Sequence, residues 1–213
     1  MLIESHLKAN FPNIYRYLLG KKNQLRKRMD SRKHYASGAT WYRHLRSGSF
    51  RYIRPPKLIV KGIDTRATVG TLGKNTAFNG ANSPAIILEY SQIPRREYFL
   101  GVLNSALLSY YLRTVCPAKL GGYFRFNANS INEVPIRCVN FSDPADKVRH
   151  DQMVQLVEQM LGTKRQLAVA KTDKDKGYYE VRCSDIDSQI DRLVYELYGL
   201  TDEEIRIVEG ASK

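Results

Sequence analysis

Pro55-Pro56-Lys57-Leu58-Ile59-Val60-Lys61-Gly62-Ile63 is the stretch on which the fold class turns. Two consecutive prolines cannot donate to a helix or a ladder, so they close whatever precedes them. The residues that follow have the β-branched, apolar character of a strand, and Ala85-Ile86-Ile87-Leu88-Glu89-Tyr90 reads as a second one. Upstream, residues 11–30 place Phe11, Ile14, Tyr15, Leu18, Leu19 and Leu25 at helical spacing, which predicts a helix there. Downstream, residues 96–113 return to that spacing through Phe99, Leu100, Leu103, Leu107 and Leu108, with Pro117 beyond the end. Between the two strands lies a long polar connection, residues 66–84, rich in Gly, Asn, Thr and Ser, for which short strands and a functional role are expected. Residues 116–122 read as a loop, Tyr123-Phe124-Arg125-Phe126 alternates as a short strand, and Glu133-Val134-Pro135-Ile136 reads as an edge strand marked by its proline. Helices and strands therefore mix within residues 1–144, an α+β body with a small mixed or antiparallel sheet and packed helices.

After residue 144 the pattern changes. Residues 150–170 form an amphipathic helix through Met153, Leu156, Val157, Met160, Leu161 and Leu167. A charged link over residues 171–177 precedes a second helix, residues 185–198, with Ile186, Ile190, Leu193, Val194 and Leu197 inward and Gly199 as its stop. Thr201 and Glu204 make a capping-box pattern that opens a last helix through Ile205 and Val208. The expected division is thus a basic N-terminal helix plus α+β domain over 1–144 and a C-terminal helical region over 145–213. Each of the two main tail helices has one apolar stripe, so the tail must pack on the body or on a neighbouring domain.

The formal charge is +13, and residues 1–66 carry all of it: 16 Lys and Arg stand against Glu4, Asp30 and Asp64, while the remainder is balanced. An imbalance confined to one third of the chain, interleaved with Tyr15, Tyr17, Tyr35, Trp41, Tyr42 and Tyr52, is the mark of a surface that faces a polyanion. Nucleic acid is the first reading of it, with an acidic protein or a membrane surface as alternatives. No apolar run reaches the roughly 18 residues of a bilayer span and no secretory signal opens the chain, which points to a cytoplasmic protein without membrane association. Cys116, Cys138 and Cys183 are an odd number without a CxxC pair, so neither a disulfide framework nor a zinc site is indicated.

Catalytic motifs are missing. Gly70-Thr71-Leu72-Gly73-Lys74 lacks the spacing and the following Ser or Thr of a phosphate-binding loop, and reads as a turn. His6, His34, His44 and His150 show no metal-ligand spacing, and Asp173-Lys174-Asp175-Lys176 has no strand to hold its carboxylates for a nuclease centre.

One series of motifs carries a resemblance. Trp41-Tyr42, then Pro56-Lys57-Leu58-Ile59-Val60, then Phe99-Leu100-Gly101-Val102-Leu103-Asn104-Ser105 with Tyr110-Tyr111-Leu112, then Val134-Pro135-Ile136, and finally Ile186-Asp187 and Ile190-Asp191 running through Tyr195 and Gly199 to Ile205, occur in that order. Over residues 11 to 210 the chain resembles the C-terminal specificity region of TaqI-like and Eco57I-like enzymes, the type IIG restriction-modification proteins and related methyltransferases of phage-defence systems. The resemblance implies a DNA target-recognition domain that works with a methyltransferase domain, which transfers a methyl group from S-adenosylmethionine to adenine N6. Neither the Asn-Pro-Pro-Tyr signature of that catalytic domain nor its glycine-containing cofactor motif is in this chain. The methyltransferase domain is therefore expected upstream or in a companion chain, with the cofactor bound there and none bound here.

Within that frame double-stranded DNA is the expected partner. Lys21, Lys22, Arg26, Lys27, Arg28, Arg32, Lys33, Arg43 and Arg46 would supply phosphate contacts and register. Base readout needs supported loops, and two are available: residues 66–83, with Arg66 and Lys74, and residues 119–129, with Tyr123, Arg125, Asn127 and Asn129. Arg pairs with guanine and Asn with adenine in the major groove. Asn104 and Ser105 inside their helix suit a structural role better than a DNA role. The competing readings are a nuclease or methyltransferase subunit with unrecognised catalytic residues, a general RNA-binding protein, and an interaction scaffold capped by an acidic partner.

Overall fold

The computed structural model describes residues 3–30, 33–34, 41–43, 50–78, 80, 83–88 and 95–211. The chain packs as two units, residues 1–50 and 51–213. In the first, α1 (Glu4–Asn10), α2 (Pro12–Gly20) and α3 (Lys22–Arg26) precede a small antiparallel pair, β1 (Met29–Asp30) with β2 (Lys33–His34). Residues 11–30 therefore do not form one helix. Gly20 has poor helix propensity, and Lys21 leaves the helical region at φ −104°, ψ 6°, so the chain restarts at Lys22. Leu7 and Trp41 are the buried apolar side chains of this unit among the described residues. One carboxylate oxygen of Glu4 accepts both the Trp41 indole N–H (3.1 Å) and the Tyr15 hydroxyl (3.2 Å), tying α1, α2 and the Trp41 turn together.

α4 (Phe50–Ile53), which the proline pair terminates, spans the change from the first unit to the second, and β3 (Lys57–Val60) follows. Next come β4 (Ile63–Asp64), β5 (Val69–Leu72) and β6 (Ala85–Ile86), so the polar connection does contain a strand. β3 lies between β5 and β6, antiparallel to both, with Leu58 opposite Thr71 on one side and Ile86 on the other. Lys57 is fully buried, and its ammonium is tolerated because it donates to Ile53 O and Thr76 O, both at 3.1 Å. The strand expected over residues 85–90 is ordered as strand only to Ile86, and residues 89–90 lie outside the described ones. Two helices follow, α5 (Arg96–Asn104) and α6 (Ala106–Val115), then β7 (Phe124–Arg125), which pairs antiparallel with β4, and α7 (Ala128–Asn132). Residues 133–136 form no ladder. Val134 and Ile136 nevertheless pack against the core, held there by Tyr98 Oη donating to Arg137 O (3.0 Å) and Tyr198 Oη donating to Pro135 O (2.8 Å).

The tail is α8 (Pro144–Val169), α9 (Asp173–Tyr198) and α10 (Asp202–Ala211). The charged stretch read as a link belongs mostly to α9, because Thr172 caps it by accepting Asp175 N–H at 3.1 Å, and Asp173 and Asp175 complement the dipole in the first turn. Met153 and Val157 of α8 and Ile186, Ile190, Leu193, Val194 and Leu197 of α9 share one core with Leu58, Val60, Val69, Leu100, Val102 and Leu108. Position 144–145 thus falls inside the second unit, and the two apolar stripes find their partner surface in the sheet and α5. α5 and α8 approach closely because Gly101 has no side chain; a Cβ there would collide with the buried Met153 Sδ.

The break at Ser105 comes from tertiary partners. The Asn104 side chain acts as a strand neighbour: Oδ1 accepts Val69 N–H (2.9 Å) and Nδ2 donates to Val69 O (3.0 Å) and Leu100 O (2.8 Å), pairing the open edge of β5. Ser105, at ψ 156°, caps α6 through its Oγ, and Asp191 of α9 accepts Ala106 N–H at 2.7 Å. Burial pushes the Asp191 carboxyl above the ordinary range, with this N–H pulling it partly back.

Candidate nucleic-acid interface

In the first unit the cations expected to face DNA divide into two kinds. Lys21, Arg26 and Lys27 are exposed and have no ion pair among the described residues. Arg28 is different: its Nε donates to Leu25 O (2.9 Å) and its Nη2 to Trp41 O (2.9 Å) and Arg43 O (2.7 Å). It fastens the Trp41 turn to the end of α3, a structural task for which any long cation in a cluster looks alike in sequence. Lys22 lies over the Trp41 ring at 5.0 Å, a cation–π contact that leaves its half-buried stem as packing. Trp41, read as a surface for sugars or bases, is buried at 1% exposure. Tyr17 and Tyr52 are exposed. Arg43 is half-buried beside Tyr42, with ring contact at 5.9 Å. Lys33 is described only as part of β2, and Arg32, Arg46 and Tyr35 lie outside the described residues.

In the second unit the two expected reading loops also diverge. Arg66 stays exposed but is engaged, pairing with Asp187 of α9 (3.1 Å) and donating to Asn104 O (2.6 Å), so it links the segment before β5 to α5 and α9. Lys74 is exposed in the turn after β5. The Ile186-Asp187 to Ile205 motif is explained by such locks: Asp187 holds Arg66, Asp191 caps α6, and Gly199 ends α9 at φ 66°. The capping box of Thr201 with Glu204 then starts α10, with Thr201 N–H to Glu204 Oε2 at 2.8 Å.

Residues 117–129 contain the second of the expected reading loops. Pro117 O accepts Arg125 N–H (2.9 Å), and Lys119 N–H donates to Tyr123 O (2.7 Å), so this stretch is a tight hairpin laid beside β7. Its three-residue tip, Leu120-Gly121-Gly122, needs left-handed backbone at φ 75° and 76°, which glycine supplies without strain. β7 alternates: Phe124 and Phe126 face inward, while Tyr123 and Arg125 stand outward with Ile63, the cross-strand neighbour of Arg125 on β4. Arg125 has no ion pair among the described residues and, with Lys119, Ile63, Pro84 and Asn127, lines a cleft of about 300 Å³. Asn127 is the N-cap of α7: its Oδ1 accepts the N–H groups of Asn129 (3.0 Å) and Ser130 (3.2 Å), and its Nδ2 donates to Ser130 Oγ. That carbonyl oxygen is spent locally, whereas Asn129 is exposed in the first turn of α7.

Lys61, Ile63, Lys119 and Leu120 border this face and were not singled out in the sequence, although Lys119 and Leu120 open the expected 119–129 loop. Lys61 pairs with Asp64 at 2.8 Å, which raises the lysine and holds the Asp64 carboxyl below the usual range. The Gly-Gly pair beside Leu120 was the available signal, since it marks a turn, but nothing in a turn motif says which face it crowns. From Tyr98 to Asn132 the chain has no Asp or Glu and carries Arg113, Lys119 and Arg125. No set of three His, Cys, Asp or Glu is placed to hold a metal among the described residues, and no helix there is long and apolar enough to cross a membrane.

The hairpin and the β4–β7 pair form a small two-stranded layer apart from the three-stranded sheet, and comparison with known families supplies the class of the chain. Residues 12–136, more than half of the chain, match the model of the TaqI-like C-terminal specificity domain; the chain belongs to that family, the DNA-recognition modules of TaqI-like methyltransferases. A search of curated proteins finds no match.

Proposed function

We propose that this chain is the sequence-specific DNA recognition module of an adenine-N6 methyltransferase in a restriction-modification or phage-defence system, of the type IIG kind or a close relative, acting in the cytoplasm. The methyltransferase domain lies upstream in the same polypeptide or in a companion chain and brings S-adenosylmethionine with it. What supports placing that donor elsewhere is that the sequence lacks its glycine-containing motif and that Arg66 and Asp187, which border the apolar groove of about 550 Å³ beside β5, pair with one another. The observation that carries the reading is the outward face of β7, where an unpaired Arg125 and an exposed Tyr123 stand on a backbone fixed by ladder bonds on both sides. Arg125 reads guanine; Lys21, Arg26, Lys27 and Lys74 give phosphate contacts; Asn129 is an auxiliary contact. The helical region over residues 145–213 serves as the frame that holds this face.

The test is a competition measurement at low salt between mixed-sequence duplex DNA and single-stranded RNA of equal length. Duplex should win, with affinity falling steeply as salt rises. Preference for the single strand would move the chain to the RNA-binding class. Incubation of the chain alone with duplex and labelled methyl donor should leave the DNA unlabelled.

A further inference from the structure

Leu120 is 97% exposed, the most exposed of the large apolar side chains described. A single surface leucine is ordinary, and by itself it says nothing. Here three further observations bear on it. It stands at the tip of a hairpin whose ends are pinned by Lys119 N–H to Tyr123 O and Arg125 N–H to Pro117 O, and whose sharp turn is built from two left-handed glycines. The hydrogen bonds fix the base of the hairpin, and the apolar tip projects from it. Its surroundings continue the same chemistry: Tyr123 and Ile63 are 45% and 54% exposed on the outward face. Cations ring this face, with Lys119 next to the tip, Arg125 on the strand and Lys61 near Tyr123. The only carboxylate on the neighbouring strand, Asp64, is occupied by Lys61, Thr65 N–H and Thr68 Oγ1.

We infer that the Leu120 hairpin is a wedge that enters the base stack of duplex DNA. The inference rests on the DNA reading above and adds a task to it. A two-stranded ribbon fits the major groove, where Arg125 would meet a guanine edge; with Arg125 so seated, Leu120, the residue next to Lys119 at the hairpin tip, would be the apolar group brought toward the stacked bases. Apolar wedges of Leu, Ile, Phe or Met, familiar from minor-groove binders, partly unstack a base step and bend or untwist the duplex, and the cost of the same insertion from a major-groove ribbon would be offset by the flanking phosphate contacts. An untwisted, unstacked step beside the recognised sequence lowers the work of extruding a base, which a DNA methyltransferase must do. Lys119 and Arg125 suit the phosphates on either side of the opened step, and Tyr123 offers a ring face to the exposed base.

The experiment uses the 213-residue chain and a nicked-then-ligated plasmid. Plasmid is closed by ligase with and without bound protein, the protein is removed, and the linking number is read on a gel, while a mobility shift on the same DNA measures binding. Wild-type chain should lower the linking number in proportion to the amount bound. Leu120→Ala should bind within about twofold of wild type yet lose most of that change, and Leu120→Phe should keep it. Equal linking-number changes for wild type and Leu120→Ala would overturn the wedge, and so would binding with no change for either; in both cases the exposed leucine belongs to a contact with protein. Absence of any mobility shift for the wild type would instead remove the DNA reading, and the wedge with it.

Discussion

Replacing Asn104 by alanine should cost the second unit about 2–4 kcal/mol. The side chain supplies Val69 with the acceptor and the donor that a further strand would have given, at 2.9 and 3.0 Å, and adds a bond to Leu100 O at 2.8 Å. Val69 is 7% exposed, so water reaches its peptide groups poorly once the amide is gone. An orphaned buried N–H or C=O costs about 1–3 kcal/mol, and two are created; partial water entry keeps the sum toward the lower half of that range. For a unit of this size each kcal/mol lowers Tm by about 2–4 °C, which gives a drop of roughly 5–15 °C. The assay is a thermal melt followed by circular dichroism at pH 7, with duplex binding measured well below the transition. Binding should be retained there, because the residue frames the site without touching it. Asn104→Asp sharpens the test: its carboxylate still accepts Val69 N–H but faces two carbonyl oxygens with nothing to donate, so it should be no more stable than the alanine variant at neutral pH and should recover part of the loss on acidification. A melting temperature within 1 °C of wild type for Asn104→Ala, or a fully stable Asn104→Asp at pH 7, would refute the strand-mimic account.

Two further outcomes follow from the same geometry. Neutralising Lys21, Arg26 and Lys27 together should weaken binding to every duplex and reduce the slope of log affinity against log salt by up to about 2.7, some 0.9 for each phosphate released, whereas Arg28→Ala should instead destabilise the Trp41 turn; an unchanged slope in the triple variant would make those charges a solubility feature. The Asp146 carboxyl is held below its ordinary 3.8, first by Arg137 and then by Asn140 N–H, so its contribution is present above that pH and is lost as pH falls toward the lowered folded value. Urea unfolding should therefore show wild type ahead of Asp146→Asn at pH 7, with the gap closing below about pH 4; a gap independent of pH would remove the ion pair from the account.

The parts of the fold legible in the sequence are those whose signal is local. The tail helices followed from 3.6-residue periodicity, and β3 from a β-branched run behind two prolines. What escaped depends on partners far along the chain. The break at Ser105 is made by Val69 and Asp191, 35 residues from Asn104 and 85 from Ala106, and a run of helix-forming residues gives no hint of either. The link before α9 was misread because its charges outweighed the Thr172 cap that starts a helix there. The outward placement of Arg125 and Tyr123 was legible because alternation in a short strand fixes which residues point outward. Arg28, Arg66 and Asn127 were read as contacts with DNA on residue type, yet each is engaged by groups of the protein: carbonyls for Arg28, Asp187 for Arg66, and the α7 amides for Asn127.

Selection from a randomised duplex pool tests sequence-specific recognition most directly. Purified chain and its Arg125→Ala variant are cycled against the pool at low salt, and the recovered sequences are compared with the input. The wild type should enrich one short motif containing a guanine, and Arg125→Ala should relax the preference at that position by about 1–3 kcal/mol while leaving overall affinity for random duplex nearly intact. Recovery of no motif by the wild type, or an identical motif with undiminished discrimination from Arg125→Ala, would contradict the assignment of base readout to this hairpin.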